Sequence, residues 1–96
     1  MTVYALAQIS VHDREAYGRY QARFMDVFQR FRGRLLAADE APTVMEGDWP
    51  HQKVILMAFP DEAALRDWAD SEAYREISKD REAGTTGVAL MVKGLG

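Results

Sequence analysis

No cysteine occurs among the 96 residues, which excludes disulfides, thiolate metal ligands and a cysteine nucleophile. Histidine is almost as scarce. His12 and His51 fall in separate loops, and neither has a ligand partner three or four residues away, so no metal site is expected. No helix carries a histidine that could ligate haem. Basic excess is missing too: 12 Lys and Arg stand against 15 Asp and Glu, with the cations scattered among acids, which argues against a nucleic-acid partner. No apolar run is long enough to span a membrane, and the first residues lack the basic and apolar segments of a signal peptide, so a cytoplasmic location is expected. Neither a phosphate-binding glycine loop nor a dinucleotide fingerprint is present, so no cofactor is called for.

What the chain does have is a globular composition, 48% hydrophobic and 28% charged, sized for a single domain over residues 1–96 with a modest core. Its most legible stretch is 44–74. Residues 54–59, VILMAF, form a short continuous apolar run that suits a strand better than a helix. Pro60 has no N–H to donate and ends the strand. Asp61 is a cap for the following helix, with Glu62 near the positive end of the helix dipole. Ala64, Leu65, Trp68 and Ala69 make its apolar stripe; Ser71 reads as a second cap, so the helix breaks near Asp70 and restarts. Upstream, Glu46-Gly47-Asp48-Trp49-Pro50 is turn chemistry and predicts a hairpin.

The rest follows in order. Residues 3–11 read as a strand with Val3, Ala5, Ala7, Ile9 and Val11 on one face. Asp13 caps a helix over 14–31, where Tyr17, Tyr20, Phe24, Val27, Phe28 and Phe31 recur at helical spacing, and Gly33 fits a left-handed closing residue. A second strand covers 35–38, a break spans 39–42, and extended structure resumes at 43–46. The last helix carries Tyr74, Ile77 and Ser78 and fades at Gly84; a final strand covers 88–92. The order β-α-β-β-α-β is the ferredoxin-like arrangement, an α+β fold with a four-stranded antiparallel sheet and helices on one face. Every strand carries apolar residues on both sides, yet the helices can cover only one. A second copy packed sheet to sheet is the simplest cover, so a homodimer is expected.

At this point the chain resembles a bacterial family known as domain of unknown function 1330. The residues that carry the likeness are EGDW at 46–49 and the run from Val54 to Tyr74, followed by Arg81; Asp13, Tyr17 and Tyr20 at the start of the first helix agree with it. The resemblance implies a dimeric α+β barrel. Relatives of that barrel include cofactor-free monooxygenases, muconolactone isomerases and haem-degrading enzymes, an analogy of fold that does not fix function. The chain departs from the family pattern around its second strand, where Arg32-Gly33 and Ala38-Asp39 replace a glycine pair and an Arg-Gly-like pair. If a basic residue after that strand binds ligand in relatives, that contact is absent here.

Arg81 is the most informative polar residue. It follows Tyr74 and Ile77 on one helical face, where a guanidinium needs a carboxylate or an anionic ligand, unless its stem simply lies on the core with its head in water. Glu46 reads either as a general base and partner of Arg81 or as a carboxylate that binds turn N–H groups. Tyr20, Trp49, Trp68 and Tyr74 are candidates to line a pocket for a flat ligand, against the alternative that they are core. Ser71 is a cap and not a nucleophile. Three readings stay open: a cofactor-independent enzyme acting on a small apolar or aromatic acid, a non-catalytic module binding a small carboxylate, and a structural dimer.

Overall fold

The computed structural model describes residues 1–96. The elements are β1 (Val3–Val11), α1 (Arg14–Phe28), β2 (Arg34–Asp39), β3 (Lys53–Phe59), α2 (Glu62–Ala69), α3 (Glu72–Gly84) and β4 (Thr85–Lys93). The four strands form one sheet in the order β2-β3-β1-β4, with every neighbouring pair antiparallel. This is the ferredoxin-like fold the element order predicts.

Local chemistry sets the helix ends. The Asp13 carboxylate accepts the backbone N–H groups of Glu15 and Ala16 and opens α1. That helix stops at Phe28, three residues before the predicted end, because Arg30 and Phe31 donate to the carbonyls of Val27 and Phe28 in a tighter turn. Gly33 does not adopt the predicted left-handed conformation; positive φ is confined to Gly47 and Gly87. Gly33 serves instead as space, since a Cβ there would lie 2.5 Å from the Phe59 ring and 2.6 Å from that of Phe28. Asp61 caps α2 by accepting from the Ala64 N–H at 2.8 Å. The predicted break falls at Asp70. There the Ser71 hydroxyl donates to the Trp68 carbonyl and accepts from the Tyr74 N–H, so one side chain closes α2 and opens α3.

The core forms two clusters between helices and sheet. One joins Val3, Phe28, Met57, Phe59, Ala64 and Trp68; the other joins Ile9, Tyr17, Tyr20, Val27 and Ile77. Both draw on the face of β1 that carries Val3, Ala5, Ala7 and Ile9. On the opposite face, Leu6 and Leu56 are half-buried while Val88, Leu90 and Val92 are 50%, 49% and 42% exposed.

Two expectations need correction. Residues 43–46 are not a strand, and the expected β2–β3 hairpin forms, but across a long loop over 40–52 and not a tight turn. Asp39 ends β2 by accepting the Ala41 N–H, and residues 40–52 are irregular, with Gly47 (φ 84°) in the turn. The final strand is also longer than predicted. It begins at Thr85 directly after α3, because the Gly84 carbonyl is held by the N–H groups of His12 and Asp13 at the end of β1.

Candidate functional site

The inner face of β1 and β4 is floored by small residues. Ala5, Ala7 and Ala89 point toward the helices, with Ala7 opposite Ala89, and Gly87 opposite Ile9 adds no side chain. Large side chains in this register would fill the space under the helices. Small ones leave a cavity of about 850 Å³, roofed by Tyr20 and Phe24 of α1, Trp68 of α2, and Tyr74 and Arg81 of α3. That volume is in the range of small-molecule sites. The break at Asp70 brings the roof together: the Trp68 and Tyr74 rings flank it, with centroids 4.3 Å apart.

The polar groups in this apolar space are few. The hydroxyls of Tyr20 and Tyr74 are hydrogen-bonded to each other at 2.9 Å. Burial, then the neighbouring Tyr74, pushes the Tyr20 phenol well above its usual pKa, against a smaller lowering by the Arg81 charge. Tyr20 is therefore a neutral hydrogen-bonding group and not a base. Two buried donors, Trp68 Nε1 and Arg81 Nε, have no partner within the protein. The remaining contact of Arg81 is long, 3.9 Å from Nη2 to Glu82 Oε1, and the Glu82 side chain is largely exposed. Thr85 Oγ1 donates to the Arg81 carbonyl at 2.7 Å and fixes this end of α3. Lys53 enters from β3. It is buried, and its ammonium lies 5.0 Å from the centre of the Tyr17 ring. The lining thus holds two cations, Lys53 and Arg81, and a single carboxylate, Glu82.

Of the candidates named from the sequence, Tyr20, Trp68, Tyr74 and Arg81 all line this cavity. Trp49 and Glu46 do not. Trp49 donates from Nε1 to Gln8 Oε1 at 2.8 Å, and Gln8 lies on the other face of the sheet. That bond draws the irregular segment over the outer face. Glu46 is exposed there, in a shallow groove with Met45, Trp49 and Val54. The expected pairing of Glu46 with Arg81 is thereby corrected, and Glu46 brings no base into the cavity. His51 Nδ1 is 3.2 Å from Ser10 Oγ, and no group of three or more His, Cys, Asp or Glu side chains is placed to hold a metal ion. No helix is long and apolar enough to cross a membrane.

Sequence reasoning missed Lys53 and the small floor. Both have a signal in parity. Lys53 shares its face with Ile55, Met57 and Phe59, and a lysine in phase with the core side of a strand is unusual. Ala5 and Ala7 are small at positions where a filled core would carry larger residues.

A family described as "Domain of unknown function (DUF1330)" matches residues 2–95. No curated protein matches the sequence. Among solved structures, a protein of unknown function from Rhodopseudomonas palustris is similar at 21% identity and TM-score 0.82, covering 99% of this chain and 83% of that one. SnoaB from Streptomyces nogalater, described as a cofactor-independent oxygenase, is similar at 17% identity and TM-score 0.69, covering 99% of this chain and 94% of its own. A dabb family protein with a ferredoxin-like fold from Mesorhizobium loti has 14% identity and TM-score 0.69, with 99% and 98% covered. At these identities the likeness shows the fold.

Proposed function

Since this chain belongs to the family described as a domain of unknown function (DUF1330), whose description assigns no activity, we propose a function from the cavity: it binds a small apolar or aromatic acid and acts on it without a cofactor. The observation that carries this reading is the pair of buried, unpartnered donors, Trp68 Nε1 and Arg81 Nε, in one apolar cavity. A buried N–H left unpaired costs about 1–3 kcal/mol. A cavity that keeps two of them is short of acceptors, and a carboxylate, phenolate or carbonyl oxygen of a ligand supplies them. The aromatic roof suits a flat body behind that polar group.

Buried donors, with the one lining carboxylate, Glu82, largely exposed, suit one kind of chemistry. Such a cavity stabilises an anion that the substrate itself forms, because fixed N–H groups are already aimed at developing negative charge. An electron-rich anion of this kind can react with dioxygen directly, and SnoaB, described as a cofactor-independent oxygenase, has a similar fold. The same lack of a buried base also favours a second reading, binding without turnover. Thermal-shift screening of aromatic carboxylates tests the binding both readings share: at least one raises the midpoint of the wild type and none raises that of Arg81→Met. Oxygen uptake with a phenolic aromatic acid then separates them. Uptake no faster than without protein leaves the binding module and removes the enzyme.

The proposal includes a homodimer formed through the outer sheet face. Val88, Leu90 and Val92 are too apolar and too contiguous with Leu6 and Leu56 for a surface left in water. Light scattering at micromolar concentration should give twice the mass of the chain, and a stable monomer at that concentration overturns this part.

A further inference from the structure

Lys53 has no counter-ion. None of the chain's ion pairs involves it, and its side chain makes no hydrogen bond. It is nonetheless only 7% exposed. The Tyr17 ring lies against its ammonium, but a ring face accepts no hydrogen bond of the kind an ammonium's three donors make to oxygen. A cation in such a position needs an anion or water that the protein itself does not supply. Lys53 lines the same cavity as Arg81, whose Nε is also unpartnered. Glu82, the one carboxylate in the lining, reaches Arg81 only at 3.9 Å and leaves Lys53 without a partner.

The two cations come to one end of the cavity from different layers. Lys53 stands on β3 opposite Ile9, and Ile9 stands opposite Gly87 on β4. Arg81 closes α3 above the start of β4, tied there by Thr85. Two strand spacings, roughly 10 Å, separate the backbones of β3 and β4, with the buried Ile9 of β1 between them. Lys53 and Arg81 both line the cavity at this end of the sheet.

We propose that Lys53 and Arg81 hold two anionic groups of one ligand, so that the cavity selects an aromatic or apolar diacid over the matching monoacid. The inference rests on the anion-binding reading above and narrows its substrate class. Two separate donor sets, a compact ammonium and a planar guanidinium, suit two acidic groups on neighbouring ring or chain positions better than one carboxylate.

Isothermal titration at neutral pH with phthalate and benzoate tests it. Phthalate should bind the wild type at least about tenfold more tightly than benzoate. Lys53→Met should bring phthalate down to the benzoate level and leave benzoate unchanged, while Arg81→Met weakens both. Equal affinities for the two acids, or a Lys53→Met variant that binds phthalate as the wild type does, overturn the diacid inference while leaving the single-anion site standing. If neither acid binds, the anion site fails and this inference fails with it. Should Lys53→Met not fold, the wild type decides: added NaCl should weaken phthalate more steeply than benzoate, and equal slopes refute the second cation.

Discussion

Replacing Trp68 with phenylalanine sets two opposing terms against each other. Trp68 is 5% exposed, and its ring lies 4.3 Å from Tyr74, 5.4 Å from Phe28 and 5.6 Å from Phe59 between centroids. Phenylalanine keeps a six-membered ring in that nest and loses the rest of the indole. The lost burial and packing cost about 1–2 kcal/mol. Against that, the substitution deletes an N–H that has no partner, which returns about 1–3 kcal/mol. The net change should therefore lie between a loss of about 1 kcal/mol and a gain of about 2 kcal/mol, far from the roughly 3–5 kcal/mol lost by an aromatic truncated to alanine. Urea denaturation followed by circular dichroism is the assay, since fluorescence would lose one of its two tryptophans. With a slope of about 1 kcal/mol per molar or more, the midpoint should fall by no more than about 1 M. Affinity for an aromatic acid should fall about tenfold, the worth of one hydrogen bond of about 1.4 kcal/mol. A loss of 3 kcal/mol or more would show that the indole N–H is satisfied in the folded protein. Unchanged affinity would show that no ligand uses it.

Three further outcomes follow from other parts of the molecule. Gly87→Ala should destabilise by roughly 2–5 kcal/mol by the same urea assay, because φ is +156° and a Cβ would lie 2.1 Å from the Gln8 carbonyl oxygen, so strain and overlap add. Tyr20 has a folded-state pKa raised above its unfolded value, so its stabilisation is complete below about pH 10 and shrinks at higher pH, by about 1.4 kcal/mol per unit; Tyr20→Phe should flatten the fall of stability with pH in this alkaline window, and an unaltered slope would count against the burial argument. Leu90→Glu, on the exposed face of β4, should give a folded monomer by light scattering and circular dichroism, whereas a surviving dimer would place the interface elsewhere.

What could be read in advance was whatever depends on neighbours in sequence. Asp13, Asp61 and Ser71 announce helix starts because each cap bonds its own first turn, and Tyr20, Trp68, Tyr74 and Arg81 come together because helical spacing puts them on inward stripes. The failures have the opposite character. Whether residues 40–52 cross one side of the sheet or the other depends on the Trp49–Gln8 hydrogen bond, made across 41 positions of chain, and no local pattern encodes it. Glu46 lies on the outer face for that reason. Gly33 was misjudged because a glycine after a helix can serve either its own φ or a neighbour's ring, and only the position of Phe59 tells which. Lys53 is in phase with Ile55, Met57 and Phe59 in the sequence, and the pairing of β3 with β1 turns that phase toward the helices.

The sheet order also bears on how the chain reaches this state. β1 lies between β3 and β4, so both of its partners come late in the sequence, and no two successive strands without an intervening helix close on each other through a tight turn. Each pairing of β1 must first close a long loop, an entropic toll that slows collapse to the native topology. As the chain is synthesised, β1 waits with an open edge and apolar side chains on both sides until β3 arrives, and it keeps one open edge until β4 is complete. Folding in milliseconds or longer is the expectation for such non-local pairing, and stopped-flow refolding would measure it. During that interval β1 is the segment most exposed to pairing with another unfolded chain.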